Sequence, residues 1–145
     1  MEFGTFEGNR EQREQWAKRW YGEYELAEQG EQLQPIAEQL TQYFKRERES
    51  FEGELDLQGT DFQKRVWLAL LTIPYGETAS YKHIAETIGS PKAVRAVGGA
   101  NNQNPLPVII PCHRIIGASG DLVGYGGGLQ TKVHLLDLEQ RTVLP

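Results

Sequence analysis

A single cysteine, Cys112, among 145 residues excludes an internal disulfide and a multi-cysteine zinc cluster. The three histidines, at positions 83, 113 and 134, stand too far apart to form a ligand pair on one helix. No structural or catalytic metal is expected, and no motif calls for a cofactor. No apolar run approaches the ~20 residues that a membrane span requires. The opening MEFGTFEGNR also lacks the apolar core of a secretory signal. A cytoplasmic, reducing environment is the expectation. Positive charge is scarce overall, with a net charge of −5, but it is unevenly placed. Residues 1–57 carry 14 acids against 7 bases, net −7, whereas residues 58–145 carry 6 acids against 8 bases, net +2. A surface that meets an anion therefore belongs to the second part. Hydrophobic content of 39% suffices for one core. The expected organisation is a short N-terminal region, 1–57, followed by one compact domain, 58–145.

What is present reads mostly as helix. NREQREQWAKRW predicts a helix capped by Asn9, with Trp16 and Trp20 on one face. A second helix is expected to start near Pro35, with Leu33, Ile36, Ala37, Leu40 and Phe44 at helical spacing. FEGELDL alternates Phe51, Leu55 and Leu57 as a short strand would. Thr60 and Gln63 form a capping-box pattern ahead of Phe62, Val66 and Leu70, and Pro74 with Gly76 stops that helix. The fold class expected is α+β: a mostly helical domain preceded by a short α/β region.

SYKHIAETIG predicts a helix capped by Ser80, with Ile84, Ala85 and Ile88 inward and Gly89 as its stop. SPKAVRAVGGANN restarts at once, with Ser90 as cap and Pro91 at the first helical position. Two short helices so closely joined read as helix-turn-helix. Gly98 and Gly99 inside the second cost up to ~1 kcal/mol each relative to alanine. With Val94 and Val97 inward, Lys92, Arg95, Ala96, Gly99 and Asn102 face outward, two cations on a surface with little bulk. That surface suits a narrow groove; tight packing in the core is the alternative.

In IIPCHRII, Pro105, Pro107 and Pro111 interrupt a would-be strand, so Cys112 lies where regular pairing ends. Cys112 is either a small buried hydrophobe or a nucleophile with His113 as its base. Adjacent residues point apart, so contact between the two needs a turn or a bridging water. In the last helix, LQTKVHLLDLEQ, Glu139 lies on or beside the stripe of Leu135 and Leu136. It is open between a solvated helix-end carboxylate and the acid that orients His113. GYGGGL permits close backbone approach to a ligand, or is a flexible loop.

The stretch RAVGGANNQNPLPVIIPCHRIIGASGDLVGYGGGLQTK, with GTDFQKRVW, IPYGETASY and the complete PCHR box, resembles the O6-alkylguanine-DNA alkyltransferases, also called methylated-DNA–protein-cysteine methyltransferases, over about residues 33–145. The resemblance implies direct reversal of damage in double-stranded DNA containing O6-alkylguanine. The helix-turn-helix binds the minor groove, and Arg95 fills the stack while the alkylated guanine rotates into the protein. Cys112 takes the alkyl group irreversibly by SN2 displacement, once per molecule. His113 generates the thiolate through a water, and Glu139 orients the histidine. The hydroxyl of Tyr81 contacts the flipped base. The backbone around Tyr125 and Gly126 borders the O6 pocket, and carbonyls of Cys112 and Ile115 take the exocyclic amine. Lys132 braces this loop, and Asn104 is a hinge tying the recognition helix to the cysteine loop. A monomer without a cofactor is the expectation.

Two departures stand out. Only about 57 residues precede the core, of which the first 32 match the family poorly, and Gly126 stands where many relatives carry a small side chain. A roomier pocket is the expectation from that glycine. Two other function classes compete: alkyltransferase-like damage sensors, which lack the nucleophile, and a cysteine hydrolase built on Cys112 and His113. Retention of Cys112 disfavours the first, and nothing suggests an acyl-substrate cleft for the second.

Overall fold

The computed structural model describes residues 10–21, 34–117, 120 and 128–140. In chain order these form α1 (Arg10–Tyr21), α2 (Gln34–Phe44), α3 (Asp61–Leu70), β1 (Ala79–Ser80), α4 (Tyr81–Thr87), α5 (Val94–Asn102), a 3₁₀ turn (Cys112–Arg114), β2 (Ile115–Ile116) and α6 (Leu129–Gln140). The class is α+β and mostly helical, with one parallel two-stranded pairing among the described residues. None of the described helices is long and apolar enough to cross a membrane. The expected cap Asn9, the side chains of Trp16 and Trp20, and Leu33 lie outside the described residues.

Capping chemistry sets two helix starts as the sequence predicts. Thr60 Oγ1 accepts from Gln63 N while Gln63 Oε1 accepts from Thr60 N, so two otherwise orphaned donors are satisfied. Ser80 Oγ accepts from His83 N at the head of α4. The start of α5 is different. Ser90 and Pro91 form a turn closed by Ala93 N donating to Ser90 O, and the helix begins at Val94 with no side-chain cap. Proline fits the second position of such a turn as well as the first position of a helix, so Ser90 and Pro91 are compatible with both and α5 starts three residues later than Pro91. Starting later, the helix leaves Val94 exposed and turns Val97, Ala100 and Asn101 inward.

Two more expectations are corrected. FEGELDL is not a strand. No described strand lies beside it; the Gln39 side chain instead donates to Glu52 O and accepts from Glu52 N, taking up the two backbone groups that a strand partner would satisfy. In α2, Ala37 and Phe44 are exposed, and the inward face runs Ile36, Leu40, Tyr43, a spacing of four and three residues that ends on a polar aromatic.

The main core joins α3, α4 and α5 through Val66, Trp67, Leu70, Ile84, Ala85, Val97 and Ala100, and extends to Ile110, Cys112 and Ile115. Trp67 Nε1 donates to Ala100 O at 2.8 Å, pinning the end of α5 to α3. A Cβ on Gly59 would stand 2.6 Å from the same indole, so only glycine fits there. A second cluster, Tyr43, Val108, Leu135 and Leu138, brings α2 and α6 onto the loop that precedes Cys112.

Candidate active site

The loop from Asn104 to Pro111 has lost three backbone donors to proline and cannot continue as a ladder. Asn104 holds it instead: Oδ1 accepts from Leu106 N at 3.0 Å, and Nδ2 donates to Ile110 O at 2.8 Å. Asn104 is therefore placed between the end of α5 and the cysteine loop. Val108 sits at φ 76°, a left-handed conformation costly for a β-branched residue. Pro111, at φ −80° and ψ 63°, makes an inverse γ-turn in which Cys112 N donates to Ile110 O. That turn delivers the chain into Cys112–Arg114. Directly after it, Ile115 and Ile116 pair in parallel with Ala79 and Ser80, so Tyr81 emerges beside the cysteine loop.

Cys112 is 4% exposed and His113 is fully buried. His113 Nε2 lies 2.7 Å from Glu139 Oε2. Arg114 grips the same carboxylate twice, Nε to Oε1 at 2.8 Å and Nη2 to Oε2 at 2.9 Å, and its Nη1 donates to Ile73 O at 2.7 Å. Tyr43 adds a fourth donor, its hydroxyl 2.6 Å from Oε2. Glu139 reaches this place because α6 turns Lys132, Leu135, Leu138 and Glu139 to the interior, two opposite charges along one buried face. The solvated helix-end alternative for Glu139 is thereby excluded.

Burial by itself would raise the Glu139 carboxyl. The hydrogen bonds from His113, Arg114 and Tyr43 outweigh it and hold the group at about 2. Burial pushes His113 below the ordinary imidazole value, and Arg114 and Lys132 push the same way against the pull of Glu139. At neutral pH the pair is therefore a carboxylate and a neutral imidazole. With Nε2–H committed to Glu139, the lone pair resides on Nδ1, which is buried and has no hydrogen-bond partner among the described residues. A base nitrogen is thus available on the residue next to the thiol.

Tyr81 is half-buried, and its hydroxyl is raised first by burial and then by the proximity of Cys112. Lys132 is fully buried, its ammonium disfavoured by burial and favoured by Cys112. A buried cation near a thiol favours its thiolate. Asn101, buried at the end of α5, points Nδ2 at Cys112 O at 3.5 Å. That carbonyl also accepts from Ile115 N, so a ligand amine arriving there would share or displace the Asn101 contact. Ile115 itself is fully buried in β2.

Lys92, Arg95, Ala96, Gly99 and Asn102 are all exposed on α5 or the turn before it. A Cβ on Gly99 would meet nothing within 4 Å, and one on Gly98 would only touch the Tyr81 ring at 3.8 Å. Core packing accounts for neither glycine. Tyr125 and Gly126 lie outside the described residues. The residues missed by reading the sequence are Arg114, Tyr43 and Asn101. An arginine between buried apolar residues, facing a glutamate in need of a partner, was a usable signal for the first.

A sequence model of the 6-O-methylguanine DNA methyltransferase DNA-binding domain matches residues 61–141. The chain belongs to that methyltransferase family. The methyltransferase match takes in α3 through α6, and with them the Cys112–Arg114 turn. The methylated-DNA–protein-cysteine methyltransferase of Mycobacterium leprae is 63% identical over 106 residues, 73% of this chain and 64% of the relative. Among solved structures, Mycobacterium tuberculosis OGT in complex with DNA is 61% identical with a TM-score of 0.73, covering 74% of this chain and 66% of that one. The O6-methylguanine-DNA methyltransferase from Pyrococcus kodakaraensis KOD1 is 26% identical with a TM-score of 0.69, covering 94% of this chain and 82% of that one. The chain spans 62 to 64% of the length of the mycobacterial relatives.

Proposed function

We propose that the chain repairs double-stranded DNA by taking the alkyl group of O6-alkylguanine onto Cys112, irreversibly and once per molecule. The observation that carries this reading is the setting of His113: Nε2 lies 2.7 Å from Glu139 Oε2 and the buried Nδ1 has no hydrogen-bond partner among the described residues, which leaves Nδ1 to serve as the base. In the proposed step the thiol proton passes through a water to Nδ1. The thiolate sulfur then bonds to the alkyl carbon as the bond from that carbon to O6 breaks, and the base departs with the electron pair. Tyr81, beside Cys112, offsets the charge that develops on the leaving guanine. Lys132, buried and electrostatically near Cys112, braces the loop of Tyr125 and Gly126. The Tyr125 and Gly126 backbone borders the O6 position, and the carbonyls of Cys112 and Ile115 receive the exocyclic amine.

Duplex binding falls to the helix-turn-helix of α4 and α5, whose outward face bears Lys92, Arg95, Ala96, Gly99 and Asn102. Laid in the minor groove, a face without bulk lets the backbone approach closely, and Arg95 occupies the gap left by the flipped base. Asn104 passes movement between α5 and the cysteine loop. The acting unit is a monomer in the cytoplasm, and displacement by a thiolate requires no cofactor.

Intact-mass measurement after incubation with a duplex containing O6-methylguanine tests the reading. One stable methyl, mapped to Cys112, is expected. Binding without a mass change would make the chain a damage sensor, and a hydrolysable adduct would make it a hydrolase; either result overturns the acceptor. Gly99→Ala tests the groove face separately. It is expected to stabilise the fold by about 0.5–1 kcal/mol, because the added methyl meets nothing in the protein and raises helix propensity, while duplex affinity falls. A melting curve and a binding isotherm read the two effects, and unchanged affinity would remove Gly99 from the interface.

A further inference from the structure

We propose that Tyr43, 96 positions before Glu139 and on α2, is a positioning residue for alkyl transfer: by sharing Glu139 Oε2 with His113 Nε2, its hydroxyl sets how firmly the carboxylate holds the imidazole and hence the pH above which His113 is a base. The inference rests on the reading of Cys112 as alkyl acceptor and His113 as its base.

Three donors converge on one oxygen: Tyr43 Oη at 2.6 Å, His113 Nε2 at 2.7 Å and Arg114 Nη2 at 2.9 Å. Donors on one acceptor compete, since each withdraws charge that the others use. The phenol is a neutral donor whose pull does not change with pH in the working range, because burial first, then the hydrogen bond to Glu139, keep it protonated. Protonation of His113, by contrast, adds a charge that Glu139 stabilises in proportion to the density left on Oε2. Tyr43 therefore lowers the proton affinity of His113 without touching it.

Among the described residues, the charged groups that act on His113 come from α6 and from its own turn. From α6 come Glu139, which favours the imidazolium, and Lys132, which opposes it. Arg114, on the same turn, also opposes it. Tyr75, from the segment before β1, lies 5.6 Å from the Arg114 guanidinium and is raised by burial and by Glu139. Tyr43, from α2, reaches the same carboxylate oxygen as His113. Its ring has a separate task, packing on Phe44, Phe51 and Tyr75 at centroid distances of 5.2, 5.5 and 6.2 Å. Packing requires only a phenyl ring; the hydroxyl is what reaches the carboxylate.

The test uses the full chain in three forms: wild type, Tyr43→Phe, which removes only the hydroxyl, and Tyr43→3-fluorotyrosine, which makes it a stronger donor. Two readouts are taken, the NMR titration of the His113 ring and single-turnover alkyl uptake from free O6-benzylguanine between pH 5 and 9. In Tyr43→Phe the His113 midpoint and the acid limb of the rate profile are expected to move together to higher pH, on the order of half a unit to one unit. The fluorinated side chain is expected to move both to lower pH, a reversal that loss of packing cannot produce. An unmoved midpoint in both variants overturns the proposal, as does a moved midpoint with an unmoved rate limb. Should Tyr43→Phe fail to fold, the fluorinated form decides by the same criteria. Wild type that takes up neither benzyl from the free base nor methyl from an O6-methylguanine duplex at any pH overturns the acceptor reading itself, a failure visible before any variant is compared; should only the duplex react, the same pH series is run with it.

Discussion

Cys112→Ser is expected to abolish alkyl uptake while leaving duplex affinity within about threefold of wild type, because a serine hydroxyl is a poor nucleophile at neutral pH. The structure sharpens this separation. The sulfur belongs to the buried core with Ile110 and Ile115, whereas Lys92, Arg95 and Asn102 are exposed around α5, so the substitution does not alter the surface offered to DNA. Quantitative mass measurement on a methylated duplex reads the first effect and a binding isotherm the second. Methyl transfer above a few per cent of wild type would place the acceptor elsewhere. Lost affinity would mean that the hydroxyl, buried among apolar groups, has disturbed α5 through Asn101.

Glu139→Gln carries the second large effect, and it divides into a kinetic and a thermodynamic part. Transfer is expected to slow by roughly 10²- to 10⁴-fold, the range associated with general acid–base assistance, because the amide no longer holds His113 in the basic tautomer. A rate within threefold of wild type would remove Glu139 from the mechanism. Stability is expected to fall by about 3–5 kcal/mol, since buried Arg114 loses its counter-charge and four donors face a group that is itself half donor. The pH dependence separates the two partners. Glu139 is held at about 2, below its ordinary 4.5, so its contribution is complete above 4.5 and is lost as pH falls towards 2. His113 is also lowered, so stability that depends on its neutrality is complete above 6.5 and declines as pH falls below that value. Melting temperature followed from pH 7 downward should fall in both stages for wild type. In Glu139→Gln the loss below 4.5 should be absent, and an equally steep loss there would assign the acid sensitivity to another carboxylate.

The helix starts at Thr60 and Ser80 were legible because a side chain announces each cap within three residues. The start of α5 was not, because serine and proline serve a turn and a helix equally well. The alternation in FEGELDL suggested a strand, but alternation specifies a face and not a partner; the backbone groups at Glu52 went to the Gln39 side chain. At the site, Cys112, His113 and Glu139 could be named from local context and family resemblance. Tyr43 could not. Its partner lies 96 residues away, and in α2 it reads as one more aromatic beside Phe44, which is the one that faces out. Arg114 fell between these cases, adjacent to named residues but lacking a visible reason for burial until both carboxylate oxygens were seen to need donors.

Because Tyr43, the Cys112–Arg114 turn and Glu139 meet from opposite ends of the chain, the site also carries a cost in chain entropy. The contact between Trp67 and Ala100 closes 33 residues, and that between Tyr43 and Glu139 closes 96. Closure entropy grows with the logarithm of loop length, so the second costs about 1 kcal/mol more than the first before any packing offsets it. Helices α3 and α5 therefore come together at lower cost than α2 and α6. The Tyr43 hydroxyl is the costlier of the two contacts to bring to Glu139, since the contact of that carboxylate with His113 closes only 26 residues.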